Sequence, residues 1–88
     1  MIKTDAVVGM AQGLHARPAA ALALAAGKFK SQISIEHGAK KADAKSIMGV
    51  LMLAAAAGAV LSICADGEDE EQAVAVLAAM LESQSKPV

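Results

Sequence analysis

Apolar and polar residues alternate along several stretches of the chain, as they do in strands that bury one side. The alternating stretches are residues 2–8, 32–36 and 60–66. In the last of them, Leu61, Ile63 and Ala65 are expected to face inward. A turn signal follows the second stretch and leads into a short polar strand that ends near Asp43, so this part is predicted to be a hairpin. The pattern therefore predicts four strands.

Two stretches before the last strand have the features of helices. Residues 16–26 contain no helix breaker after Pro18. Proline is tolerated in a first helical turn because its missing N–H would lack an intrahelical acceptor there. Ser46 is a candidate N-cap for a short helix over residues 47–53, because its hydroxyl can accept a hydrogen bond from an unpaired backbone N–H.

The last helix has the clearest pattern. Asp69 and Gln72 are spaced as in a capping box. The apolar residues that follow recur at helical spacing: Ala73, Val74, Leu77, Met80 and Leu81. The element order predicts an α+β fold, an open-faced β-sandwich with three helices packed on one face of a four-stranded, mainly antiparallel sheet. No linker or repeat divides residues 1–88, which are predicted to form a single domain.

Composition narrows the classes of function. A chain of 88 residues has room for one domain and not for a multi-step enzyme with its own substrate cleft. Eight Lys and Arg against nine Asp and Glu leave a formal net charge of -1, which gives no general attraction to nucleic acid or to an anionic membrane. The single cysteine, Cys64, has no partner for an internal disulfide and is expected to be small and buried, so a cytoplasmic location is predicted.

Residues 47–65 imitate a membrane span, because Ser62 alone interrupts their apolar and glycine positions. The stretch is rich in alanine and glycine rather than leucine and phenylalanine, so insertion into a bilayer would be only weakly favourable. It also divides at residues 54–58 into a helix-like part and a strand-like part. The chain is therefore predicted not to insert into a membrane, with a small membrane-anchored protein as the alternative.

Residues 13–19, with the sequence GLHARPA, place His15 directly before the first helix. Free N–H groups and the positive end of the helix dipole favour an anion at this point. The backbone amides of Ala16 and Arg17, with the Arg17 guanidinium, could therefore hold a phosphoryl group on the imidazole. An isolated histidine before a helix is most often an ordinary surface residue, and here Arg17 and Pro18 favour the chemical interpretation.

This segment resembles the phosphorylation-site motif of HPr, the histidine-containing phosphocarrier of the bacterial phosphoenolpyruvate:sugar phosphotransferase system. Residues 45–51, with the sequence KSIMGVL, resemble the regulatory serine segment of HPr proteins from bacteria that have HPr kinase/phosphorylase. The likeness extends over almost the whole chain. Two separated motifs at family-like spacing make the resemblance specific.

The resemblance implies a role for each motif. His15 would accept a phosphoryl group, derived from phosphoenolpyruvate, from enzyme I and pass it to the A domains of sugar permeases, while Arg17 stabilises the group. Ser46 would be phosphorylated by HPr kinase/phosphorylase, and that form would slow the reaction at His15 and act with catabolite control protein A. The chain would be a carrier with a covalent phosphohistidine intermediate, not an enzyme, and would need no cofactor. From spacing alone, Ser46 is equally explained as an ordinary N-cap.

The predicted short helix has no polar residue, so part of it is expected to be exposed. Its side chains and a neighbour of His15 are candidates for an apolar docking patch, in which flexible methionines meet several partners. The candidate docking residues are Leu14, Ile47, Met48, Leu51 and Met52. Burial in the core is the alternative for each of them singly. Five lysines could add a basic rim to the patch: Lys28, Lys30, Lys40, Lys41 and Lys45. A solvent-exposed face without a binding role explains these lysines equally well.

Two other functions remain open beside sugar transport. One is a regulatory binding module that uses the same surface, although family members of that class have lost the histidine that is present here. The other is a carrier in a nitrogen-related or dihydroxyacetone-kinase branch. His37 is interpreted as an exposed turn residue, and the two histidines form no ligand pattern, so no metal site is predicted.

Overall fold

The computed structural model describes residues 1–9 and 13–82. Seven elements follow one another along the chain: β1 (Ile2–Val7), α1 (Ala16–Ala26), β2 (Gln32–His37), β3 (Lys40–Asp43), α2 (Ile47–Met52), β4 (Val60–Asp66) and α3 (Glu70–Glu82). Their types and order confirm the predicted arrangement. The predicted bounds of α1 and β4 are those observed, and the last residues of β1, β2 and α2 differ from the predicted ones by a single residue, since terminal residues are shared with the adjoining turns.

The four strands form one antiparallel sheet in the order β1-β4-β2-β3. The predicted inward residues of β4 are all buried: Leu61, Ile63 and Ala65. Cys64 lies between them in sequence and is half-buried on the opposite face, opposite Lys3 of β1. The prediction that Cys64 is buried is therefore wrong, because the two-residue period of a strand places it on the outer face.

The three helices cover one face of the sheet, which confirms the open-faced α+β sandwich. Helix α1 packs against α2 and α3, α2 also packs against β3, and α3 packs against β1 and β4. The periodicity of α1 is obscure in the sequence, and the structure buries one stripe of it: Ala19, Leu22, Ala23 and Ala26. Alanine on this stripe allows helices to approach closely, while Leu22 fills the space between layers.

Residues 47–65 do not form one continuous element. They divide into α2 and β4, joined by a connecting segment, as the break at residues 54–58 predicts. Over residues 1–9 and 13–82, no helix is long and apolar enough to cross a membrane.

The start of α3 differs from the predicted capping box. The Asp69 carboxylate accepts hydrogen bonds from the backbone N–H groups of Lys30 and Ser31 and from the Ser31 hydroxyl, so it holds the loop between α1 and β2. Glu70 instead accepts from the Gly67 N–H, at 3.1 Å. The pairing of Asp69 with Gln72 as a capping box is therefore wrong, because a tertiary contact with three donors competes for the carboxylate.

The Asp69 carboxylate makes the stability depend on acid pH. The Ser31 hydroxyl, with the Lys30 and Ser31 N–H groups, lowers the pKa of Asp69 from 3.8 to about 2. A carboxyl group with a lower pKa in the folded state stabilises the fold above its unfolded pKa and loses that contribution as pH falls through the folded pKa. Asp69→Asn is therefore expected to lower the urea midpoint at neutral pH, with the difference shrinking below pH 3.8 and vanishing below about pH 2.

Urea unfolding of both proteins across this pH range checks the expectation. The matched control is Glu68→Gln, because Glu68 is exposed and its carboxylate has no hydrogen bond within the described part of the chain. A difference between Asp69→Asn and the parent chain that is as large below pH 2 as at neutral pH would contradict this expectation.

Ala54, which follows the C-terminal cap residue of α2, has a φ of 51° and is the only non-glycine residue with positive φ in the described ranges. A side chain in the left-handed region costs roughly 1–2 kcal/mol. Ala54→Gly is therefore expected to raise the free energy of unfolding by about 1 kcal/mol, after the greater entropy of glycine in the unfolded chain is counted.

Chemical denaturation would show this as a higher urea midpoint with an unchanged slope. Ala56→Gly serves as the control, since Ala56 is also exposed and its φ is not positive. That substitution is expected to leave stability unchanged or lower it. Equal effects of the two substitutions would contradict a strained Ala54.

Candidate functional site

The backbone before His15 is supported by the segment between α2 and β4. The Leu14 N–H donates to the Ala55 carbonyl over 2.8 Å. Gly13 has a φ of 72°, and a Cβ at this position would lie 2.6 Å from the Ala55 carbonyl oxygen. Only glycine fits both the backbone angle and the contact. The approach to His15 is therefore defined by packing rather than left as a free loop.

His15 occupies the N-cap position of α1, with φ -105° and ψ -168°. Its side chain is exposed and makes no capping hydrogen bond. Its backbone is held on both sides, since its N–H donates to Gly13 and its carbonyl accepts from the Ala19 N–H over 2.9 Å. The ring is thus accessible from solvent on a fixed backbone.

The start of α1 leaves two backbone N–H groups without intrahelical acceptors. The first turn of any helix has such groups. Here Pro18 has no N–H, and the Ala19 N–H is already bonded to His15. The groups that remain are those of Ala16 and Arg17, the two residues predicted to bind phosphate. The first turn contains no acidic residue, so its positive end is not neutralised by its own side chains.

The guanidinium of Arg17 places a positive charge on a flexible side chain next to these amides. It is exposed, and no ion pair engages it within residues 1–9 and 13–82. Its guanidinium could reach an anion on the His15 ring as a forked donor. The site therefore combines two fixed donors with one flexible cation.

Ser46 is the N-cap of α2, as the sequence predicts. Its Oγ accepts from the Gly49 N–H over 3.0 Å, and its carbonyl accepts from the Val50 N–H over 3.0 Å. The residue is half-buried. The preceding residue, Lys45, points its ammonium away toward the Phe29 carbonyl, at 2.9 Å. The Ser46 hydroxyl therefore lies at a helix N-terminus with its local contact satisfied.

The short helix α2 is divided between surface and core. Ile47, Met48 and Met52 are 43%, 66% and 69% exposed, so the predicted partial exposure of this helix is confirmed. Leu51 is half-buried and packs against the core. Leu14 is 6% exposed. The prediction that Leu14 forms part of an exposed patch is wrong, because its backbone contact with the segment after α2 directs its side chain inward.

The lysines of the predicted basic rim are all exposed. Within the described ranges none of them forms an ion pair with a carboxylate. Lys45 is tied to a backbone carbonyl, whereas the other rim lysines keep their ammonium groups free of such a bond in the same part of the chain. Their placement is compatible with either a basic rim or a solvated face.

His37 makes a tertiary contact that the sequence pattern did not predict. It is the last residue of β2, is half-buried, and its Nδ1 lies 2.9 Å from the Leu53 carbonyl oxygen. Its interpretation as an exposed turn residue is therefore wrong. The available signal was the alternation of Ile33, Ile35 and His37, which places all three on the face toward the helices.

Possible metal ligands are dispersed over the described structure. Residues 1–9 and 13–82 contain no group of three or more His, Cys, Asp or Glu side chains that could hold a metal ion.

Comparison with known proteins agrees with this geometry. A family model described as the PTS HPr component phosphorylation site matches residues 2–83. That range contains every element of the structure and the segment around His15.

Individual relatives cover nearly the whole chain. The phosphocarrier protein HPr of Cupriavidus necator is 42% identical over 81 residues, which are 92% of this chain and 91% of that protein. The HPr-like protein Crh of Halalkalibacterium halodurans is 39% identical over 84 residues, which are 96% of this chain and 100% of that protein. The crystal structure of HPr-C-His from Thermoanaerobacter tengcongensis has a TM-score of 0.88 at 43% identity, covering 93% of this chain and 92% of that one.

Proposed function

The chain belongs to the HPr family of phosphocarrier proteins, and we propose that it accepts a phosphoryl group on His15 from enzyme I and passes it to the A domains of sugar permeases. One observation supports this most strongly. An exposed imidazole stands at a helix N-terminus beside the two backbone N–H groups, of Ala16 and Arg17, that lack intrahelical acceptors.

The proposed transfer uses the His15 imidazole and the backbone N–H groups of Ala16 and Arg17. The lone pair of a His15 ring nitrogen attacks phosphorus in line, so that a new N–P bond forms as the bond to the donor protein's leaving group breaks. The phosphoryl oxygens then face the Ala16 and Arg17 amides and the positive end of α1. Transfer onward reverses the roles, with His15 as leaving group. The carrier is thus regenerated and acts as a covalent relay, not as an enzyme with its own substrate cleft.

Incubation of the chain with phosphoenolpyruvate and catalytic enzyme I tests the proposal. A phosphate that is stable in base and labile in acid is expected, at one per chain, because phosphohistidine has that stability. A known HPr is phosphorylated in parallel as the control. If the control takes up phosphate and this chain does not, the proposal fails.

Arg17→Ala is expected to lower kcat for transfer from enzyme I by at least about tenfold, because a positioned cation stabilises charge in the transferring group. Arg17→Lys is expected to recover part of the loss, since it keeps the charge and loses the forked geometry. Phosphorylation assays that are quenched at set times measure the rates. Lys3→Ala removes another exposed cation, on the outer face of the sheet, and is the matched control that is expected to leave kcat unchanged.

We propose Ser46 as the regulatory phosphorylation site. A phosphate at the N-terminus of α2 is electrostatically tolerated and adds charge beside an apolar surface without unfolding the domain. HPr kinase/phosphorylase would add it from ATP, and catabolite control protein A would recognise the product. Incubation with that kinase and ATP should give an acid-stable phosphate that is absent from Ser46→Ala, and an acid-stable phosphate that persists in that variant would contradict the assignment.

The surface that meets these partners is proposed to be the exposed side of α2. Ile47, Met48 and Met52 present apolar area there. Methionine side chains adapt their shape to different surfaces, which suits a carrier that meets several proteins in turn. Leu51 would support this surface from below, since it packs against the core.

A regulatory binding module is a second candidate, favoured by the similarity to the HPr-like protein Crh. It would use the same α2 surface without carrying phosphate on His15. The enzyme I assay separates the two, because a module of that kind would take up no acid-labile phosphate. A carrier of a nitrogen-related or dihydroxyacetone-kinase branch would take it up from the donor of that branch. Either carrier function implies a cytoplasmic location, where phosphoenolpyruvate is produced.

A further inference from the structure

We propose that His37 is a positioning residue for phosphoryl transfer, acting through the segment of residues 53–58 that connects α2 to β4. The inference rests on the carrier function proposed above. We call this segment the connector. His37 touches no reacting atom, and its effect on His15 would pass through the backbone of the connector.

His37 holds the beginning of the connector. Its Nδ1 lies 2.9 Å from the carbonyl oxygen of Leu53, the C-cap residue of α2. Carbonyls at a helix C-terminus lack intrahelical donors and need another partner. The Leu53 side chain is 2% exposed, so the residue is fixed by the core on one side and by the imidazole on the other. The direction in which the chain leaves α2 is thereby defined.

The middle and the end of the connector support the segment before His15. The Ala55 carbonyl accepts from the Leu14 N–H over 2.8 Å, and a Cβ at Gly13 would overlap the same carbonyl. The Gly58 N–H donates to Val8 over 2.8 Å and fixes the far end. The acceptor for Leu14 therefore lies between two anchored ends, and His37 provides one of the anchors.

Displacement of the Ala55 carbonyl would move the Leu14 peptide and, with it, the backbone of His15. In-line transfer depends on the position of the attacking nitrogen relative to the groups that stabilise the phosphoryl oxygens. The Arg17 amide lies in the first turn of α1, which packs against α2 and α3, and would follow this displacement less than the His15 ring does. Loss of the His37 contact should therefore reduce the rate of transfer more than the affinity for the donor protein.

Two substitutions separate this role from general stability. His37→Leu keeps an apolar side chain of similar bulk and removes the donor. His37→Asn supplies an amide nitrogen near the position of Nδ1 and should restore the bond. With phosphorylated enzyme I as donor, His37→Leu is expected to lower kcat about fivefold, the factor for one hydrogen bond of typical net strength, with KM unchanged. His37→Asn is expected to recover most of kcat.

Hydrogen exchange at the Leu14 amide provides a second readout that does not depend on phosphate. It should be about fivefold faster in His37→Leu than in the parent chain. The control is Ala75→Gly, an exposed position inside α3, which lowers overall stability without touching the connector. It is expected to leave both kcat and Leu14 exchange unchanged.

The outcomes are distinguishable. If the parent chain takes up no phosphate from enzyme I, the proposed carrier function fails, whatever the exchange data show. If the parent is phosphorylated and His37→Leu has an unchanged kcat and unchanged Leu14 exchange, the positioning role alone is overturned. A kcat that falls equally in His37→Leu and Ala75→Gly, or that His37→Asn does not restore, also overturns it.

Discussion

His15→Ala is expected to abolish acid-labile phosphorylation by phosphoenolpyruvate and enzyme I. The substitution removes the imidazole that stands at the start of α1 beside the Ala16 and Arg17 amides. The same change should alter the free energy of unfolding by less than about 0.5 kcal/mol, because the ring is exposed and makes no capping bond. Intact-mass and acid-lability measurements on the labelled protein, together with urea unfolding, check both parts.

The second histidine provides the matched control for this experiment. His37→Asn leaves His15 in place, so its endpoint of one phosphate per chain should equal that of the parent. Acid-labile phosphate that persists in His15→Ala would assign the chemistry to another group. A large loss of stability in His15→Ala would mean that the residue has a structural role that its exposure does not indicate.

Gly13→Ala has the largest expected effect on stability, a loss of about 3 kcal/mol. Two costs combine at this position. The φ of 72° places a side chain in the left-handed region, and the added Cβ would lie 2.6 Å from the Ala55 carbonyl oxygen and 3.0 Å from the Ala56 Cα. Because both neighbours are backbone atoms, the connector has to move, and transfer to His15 is expected to slow as well.

Gly38→Ala isolates the first of these costs. Gly38 has a φ of 61° in the turn between β2 and β3, and a Cβ there would meet nothing within 4 Å. It is expected to lose about 1 kcal/mol and to retain the transfer rate. Urea unfolding compares the two variants. Equal losses would show that the contact between Gly13 and the connector contributes nothing, contrary to the geometry.

The parts of the fold that follow from local patterns were predictable. Strands that bury one side must alternate, and the inward residues of β4 therefore follow directly from the sequence. The register of α1 does not, because almost every residue from Ala19 to Ala26 is apolar and several faces are equally suitable. The choice is made by packing against α2 and α3, which a local pattern does not contain.

The functional residues of the candidate site were predictable from the sequence, whereas the backbone contacts that hold them in place were less so. His15, Arg17 and Ser46 stand at helix starts that proline and serine mark in the sequence. The connector contacts were not predictable, since they join residues far apart in the chain. Ala54 gives no hint of a left-handed backbone, and Asp69 bonds to Ser31, 38 residues away. Such contacts arise only once the sheet brings these loops together.

A chase experiment tests whether His15 relays a phosphoryl group from one protein to another. The chain is labelled through enzyme I, separated from phosphoenolpyruvate and enzyme I, and mixed with a sugar-permease A domain. The label is expected to leave His15 and to appear on the A domain in equal amount, at a rate that rises with A-domain concentration. Label that stays on the chain, or that is released as inorganic phosphate at a rate independent of the A domain, would contradict it.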